Sequence, residues 1–143
     1  MLEKIDHVGI VVKNLDETTS VLSKTFGFTV TETITALDGE FRTALVAAGG
    51  ARLELIQPLG SQGSIAKFLE QKGGGIHHLS FKVDNIENEL RSLEGNGVRL
   101  VSNKPAAVRE SLVAFVHPGA TQGVLIELIQ RADDEPLQTV WSR

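Results

Sequence analysis

The run LELIQ at residues 53–57 returns almost unchanged as IELIQ at 126–130, and each copy lies well downstream of a histidine that opens a strand-like stretch, HVGIVV at 7–12 and HLSFKV at 78–83. DHVGIVVKNLDE at 6–17 aligns with HHLSFKVDNIEN at 77–88 at an offset of 71 residues, and the two LIQ stretches align at an offset of 73. FGFTV at 26–30 meets NGVRL at 96–100 between them. Two copies are too few for a solenoid, whose stacked core needs at least three, so the chain reads as one internally duplicated domain.

Each copy has the same order of elements. Residues 5–12 alternate, with Val8, Ile10 and Val12 on one face and His7, Gly9 and Val11 on the other, the two-residue period of a strand. Asn14 followed three places later by Glu17 predicts a capped helix over 15–26 that Gly27 stops. Strands are expected at 28–36, 41–48 and 51–57, the last two joined by a Gly49–Gly50 hairpin turn. The second copy predicts a strand at 77–83, a helix at 86–95 and strands at 98–102, 111–117 and 123–130, with a turn at Pro118–Gly119. The expected class is α+β: two tandem βαβββ modules, 3–57 and 77–131, in a curved mixed sheet around a cleft. A connector at 58–76 carries the short amphipathic segment SIAKFLEQK, and a polar tail at 132–143 is expected at the surface, pinned by Trp141.

Composition narrows the chemistry. The chain has 143 residues, 41% hydrophobic, a net charge of −4 and no cysteine. That length and apolar content suit a single globular domain with a real core. Lys and Arg are scattered, which argues against nucleic acid, and without thiols any metal must be held by His, carboxylate or amide groups. No apolar run is long enough for a membrane span, and MLEKIDH is not a signal sequence, so a cytoplasmic location is expected.

The alternation decides which polar side chains share a space. Leu79, Phe81 and Val83 form an apolar face for the helices, which turns His78, Ser80 and Lys82 to the other side. Glu54 and Glu127 each interrupt an apolar run at one phase, where a lone carboxylate would be costly to desolvate. Two imidazoles and two carboxylates, His7, Glu54, His78 and Glu127, at equivalent places in a duplication point to a divalent metal ion. Neutral nitrogen and carboxylate oxygen donors suit Co, Ni, Zn or Mn, balance a 2+ charge and leave positions open in an octahedral shell. A strand histidine alone is more often a satisfied structural residue, and His77 and His117, which have no counterpart in the other copy, are read that way.

On these residues the chain resembles the vicinal oxygen chelate superfamily (glyoxalase, bleomycin-resistance and dioxygenase proteins), over residues 3–131. Within it, IDHVGIVVKNLDE, SIAKFLEQKGGGIHHLSFKVDNIE at 64–87 and HPGATQGVLIELIQ at 117–130 are similar to the methylmalonyl-CoA epimerase family, whereas PAAVRESLVAF lacks the glycine run that family often carries. The resemblance implies metal ligands at His7, Glu54, His78 and Glu127, an acyl-CoA substrate and a homodimer. It also implies epimerisation of (R)- and (S)-methylmalonyl-CoA, by α-proton abstraction and return through an enolate that the metal stabilises. Glu127 and Glu54 are the acid/base candidates, with Glu40 a weaker one. Two alternatives stand beside this: a glyoxalase I-like lyase acting on a glutathione hemithioacetal, and a non-enzymatic, antibiotic-sequestering protein of the same fold. The intact donor set argues against the second, and the 117–130 stretch against the first.

Overall fold

The computed structural model describes residues 2–36 and 39–132; the tail beyond them, with Trp141, lies outside the described residues. The chain is α+β. Its elements run β1 (Leu2–Val11), α1 (Leu15–Lys24), β2 (Thr29–Thr35), β3 (Phe41–Ala48), β4 (Ala51–Pro58), α2 (Gly63–Lys72), β5 (Gly75–Val83), α3 (Ile86–Gly95), β6 (Ala106–Val108), β7 (Ser111–Val116), a short 3-10 turn at Pro118–Thr121 and β8 (Ile126–Gln130). Among the described residues no helix is long and apolar enough to cross a membrane. The described chain divides into two compact units, one of residues 7–77 and one of residues 2–6 with 78–132.

In the unit of residues 7–77 the strand order is β2-β3-β4-β1. The only parallel contact in that series is between β1 and β4, with Val8 opposite Leu53 and Gly9 opposite Glu54. Asn14 caps α1 as its spacing foretells, accepting a hydrogen bond from the Glu17 amide at 3.0 Å. The helix packs through Leu15 on Ala44, Val46 and Leu55, with Ile10, Val12, Leu22 and Leu53 around them. Ile10 and Val12 belong to the strand face that alternation groups with Val8, away from His7. A second device closes the helix start: the Leu15 amide, one of the donors a helix leaves unsatisfied, donates to Gln57 Oε1 at 2.8 Å.

The other unit repeats the scheme with the order β5-β8-β7-β6. Parallel β5 and β8 set Ser80 opposite Glu127, Asn85 accepts from the Asn88 amide at 3.0 Å, and the Ile86 amide donates to Gln130 Oε1 at 2.8 Å. Val83, Ile86, Leu90, Ala114 and Leu128 form its core. Thus the repeated ELIQ segments share more than a carboxylate: the final glutamine of each ties its strand to the start of its own helix.

One expected strand is displaced. Residues 98–102 form an isolated bridge, Leu100 with Val116, flanked by hydrogen bonds from the Val101 amide to the Phe115 carbonyl and from the His117 amide to the Arg99 carbonyl, and the strand β6 forms at Ala106–Val108. A turn intervenes, with the Ser102 hydroxyl donating to the Lys104 carbonyl and Pro105, which has no amide to donate, next in sequence. The β6/β7 hairpin turns at Arg109 and Glu110, and Arg109 holds φ at +56°. No glycine or asparagine announces that turn in the sequence.

Two contacts anchor the strands that carry the histidines. Gly74 (φ +103°) lets the Val11 carbonyl approach to 2.9 Å of where a Cβ would stand, so only glycine fits between α2 and β5. Arg131, just past β8, grips the buried Asp6 carboxylate from two sides, Nε to Oδ1 at 2.8 Å and Nη2 to Oδ2 at 2.5 Å. Breaking such a buried pair leaves a guanidinium without its counter-charge, so Asp6→Ala should destabilise the protein by about 3–5 kcal/mol in urea denaturation. Gln57→Ala removes one uncharged hydrogen bond and should cost about 1 kcal/mol in the same measurement.

Candidate metal centre

Cross-strand partners on neighbouring strands project to the same face, and residues two apart on one strand do so as well. Gly9 stands opposite Glu54, which places Glu54 on the face of Gly9 and therefore of His7. The contact follows: His7 Nε2 lies 3.9 Å from Glu54 Oε2. The imidazole is buried, and the carboxylate side chain keeps 13% of its exposure. Around them on the same face lie the buried Val11, Leu45 and Ile56. Leu53 and Leu55, which flank Glu54, point the other way into the α1 core. The acid in an apolar run is thus a residue whose neighbours serve the helix while it serves the opposite face.

The second unit builds the same arrangement with one addition. Glu127 stands between Ser80 of β5 and Phe115 of β7 in register, and it is buried. The Ser80 hydroxyl donates to Glu127 Oε1 at 2.7 Å. His78, two residues before Ser80 on the same face, is buried with its ring edge against Phe115, the centroids 6.2 Å apart at 88°. Each unit therefore holds one buried imidazole and one carboxylate on a single face of a parallel strand pair. The donor chemistry fits a hard or borderline divalent cation: neutral imidazole nitrogen and carboxylate oxygen are ligand types it takes, and a carboxylate withdrawn from water, as Glu127 is, is tolerable when a counter-charge lies close.

The remaining sequence candidates separate from this set. His77 packs edge-on against Phe68 at 4.9 Å, and His117 caps the 3-10 turn, its Nδ1 accepting from the Gly119 amide at 3.0 Å. Both are held within the protein in the structural roles assigned to them. Glu40 is an exposed residue next to β3. Two residues escaped the sequence reading. Ser80 was on the expected face, but a serine there carries no mark of its bond to Glu127. Asp6, next to His7, gave no hint of its partner, since Arg131 is 125 residues away.

A profile of the Glyoxalase/Bleomycin resistance protein/Dioxygenase superfamily matches residues 6–115. Among similar proteins, the mitochondrial methylmalonyl-CoA epimerase of Dictyostelium discoideum is 32% identical over 130 residues, 90% of this chain and 78% of that protein. The uncharacterized protein YqjC of Bacillus subtilis (strain 168) is 30% identical over 135 residues, 94% of this chain and 96% of that protein. Among solved structures, a variant of Streptomyces coelicolor methylmalonyl-CoA epimerase in complex with 2-nitronate-propionyl-CoA superposes with a TM-score of 0.86 at 29% identity, covering 95% of this chain and 99% of that one.

Burial lowers the pKa of His77 below its ordinary 6.5. The folded state therefore resists a proton that the unfolded chain accepts, and this contribution to stability, full above about 6.5, is lost as pH falls from there toward the folded-state pKa. His77→Gln should remove that component, so denaturation midpoints of the variant should decline less than those of the wild type between about pH 7 and pH 5.

Proposed function

Because the chain belongs to the glyoxalase/bleomycin resistance/dioxygenase superfamily, we propose that it is a divalent-metal-dependent epimerase that interconverts (R)- and (S)-methylmalonyl-CoA. The residues that would hold the cation are His7 and Glu54 in one unit and His78 and Glu127 in the other, neutral imidazoles and carboxylates being the donor types such an ion takes. The single observation that carries this reading is the repeated pairing of a buried imidazole with a carboxylate on one face, His7 with Glu54 and His78 with Glu127. The acyl-CoA substrate is supported by the names of the relatives, methylmalonyl-CoA epimerases at about 30% identity.

When bound, a divalent cation supplies a Lewis acid that disperses negative charge on substrate oxygens, worth several kcal/mol. The protein groups do the rest. Both imidazoles act as neutral donors, so their ring nitrogens must be unprotonated on the ligand side. The two carboxylates match the 2+ charge. Glu127 and Glu54 are also the acid/base pair: one carboxylate takes the α-proton, the C–H electron pair passes to the thioester oxygen, and the other returns a proton to the opposite side of the carbon. Leu45 and Ile56 in one unit and Ile129 in the other are buried on the carboxylate faces of their strands, an apolar lining of the kind that would protect a carbanion-like species from indiscriminate protonation.

Deuterium wash-in distinguishes this activity from a lyase. The wild type should introduce deuterium at the α-carbon of methylmalonyl-CoA in heavy water, followed by mass spectrometry, and should leave methylglyoxal with glutathione unchanged. His78→Ala should lose both metal retention and exchange. Undiminished exchange in that variant, or turnover of the hemithioacetal alone, would overturn the proposal.

A further inference from the structure

Strand register pairs the two halves position by position, and on the carboxylate face one buried position differs by a single hydroxyl. In the unit of residues 7–77, β3 sets Leu45 opposite Glu54 and Thr43 opposite Ile56. In the other unit, β7 sets Phe115 opposite Glu127 and Val113 opposite Ile129. Ile56 and Ile129 each follow their glutamate by two residues, so Thr43 and Val113 are equivalent, and each shares the face of its own carboxylate. They are buried alike, at 8% and 9% exposure. Ala44, the residue after Thr43, turns the other way into the α1 core.

Threonine and valine branch alike at Cβ and differ by a hydroxyl in place of a methyl, so the valine of the second half shows that the strand packs without the oxygen. A hydroxyl taken into a buried place costs free energy unless it is hydrogen-bonded, and buried polar side chains are as a rule bonded. Thr31, on the neighbouring strand, obeys that rule by donating to the Leu45 carbonyl at 2.8 Å. Among the described residues no protein group accepts from or donates to the Thr43 hydroxyl, and its oxygen is not wholly enclosed. Thr43 stands diagonally from Glu54 across the β3/β4 ladder, a separation of about 7–8 Å between strand positions. That gap admits one small polar group of a ligand beside the carboxylate.

We propose that Thr43 is a substrate-binding residue: its hydroxyl donates a hydrogen bond to an oxygen of the acyl group held beside Glu54, either the free carboxylate or the thioester carbonyl. This rests on the epimerase reading above and gives that reading a specificity contact that only one half of the duplication carries. The hydroxyl has one proton to give, and an anionic or charge-developing oxygen is the acceptor that gains most from it.

The test takes the full-length protein through deuterium wash-in at varied methylmalonyl-CoA concentration, with urea denaturation alongside. Thr43→Val, which copies the second half, should lower kcat/KM by about 10–100-fold, the range for losing a hydrogen bond to a charged oxygen. Its denaturation midpoint should equal or exceed that of the wild type, because a buried hydroxyl is gone and the shape is kept. Thr43→Ser, which keeps the donor, should restore most of the exchange. A raised KM with kcat kept identifies the carboxylate, whose charge is the same in ground and transition states; a lowered kcat identifies the thioester oxygen, where charge develops. Unchanged exchange in Thr43→Val overturns this assignment alone. So does a serine variant as impaired as the valine one, or a lowered midpoint in Thr43→Val, since each makes the side chain structural. A wild type that exchanges no deuterium removes the epimerase reading and this assignment with it.

Discussion

Two parallel strand pairings, β1 with β4 and β5 with β8, carry the geometry on which the rest of the structure depends. A pleated strand sends alternate side chains to opposite faces, so the register of these pairs settles at once which residues meet the helices and which meet the site face. Val8 opposite Leu53 and Gly9 opposite Glu54 send the leucines to α1 and the acid away from it. A slip of one residue would bury Glu54 under the helix and expose Leu55. The hydrophobic demand of the helix side is therefore what holds the polar side in place, and the candidate site inherits its precision from apolar packing.

The repeated segment does several jobs with consecutive residues. In each copy the glutamate faces the site, the leucine after it fills the helix core and the glutamine ends at a helix amide, Leu15 in one unit and Ile86 in the other. This explains why four residues in a row recur when only one of them bears on metal chemistry. The glutamine bonds bear on the site indirectly, since they tie the strand that carries the acid to the helix packed on its other face. Beyond the second copy, Arg131 extends the chain of constraints to Asp6, the residue before His7.

Much of the local structure was legible because short-range signals were strong. Asn14 and Asn85 cap where their spacing says they should, and the Gly49–Gly50 turn joins β3 to β4 as a hairpin. The strand expected at 98–102 was misplaced for an equally local reason read too weakly. Pro105 and the Ser102–Lys104 turn break the pairing with β7, which resumes at Ala106, and the hairpin that follows turns through Arg109 without a residue that favours positive φ. The fixed φ > 0 at Arg109 is enforced by the pairing on either side, a tertiary demand that overrides residue preference.

By itself the sequence determined the α+β class, the internal duplication and the four candidate ligands, because periodicity and repeats are properties of residue order and survive without coordinates. Family membership, too, was readable from the same residues. Only the tertiary structure decided what faces each carboxylate: which of the two receives a hydroxyl from the adjacent strand, and which buried acid pairs with an arginine 125 residues away. Such pairings are set by strand register and by the closing of long loops, so no short-range pattern in the chain encodes them.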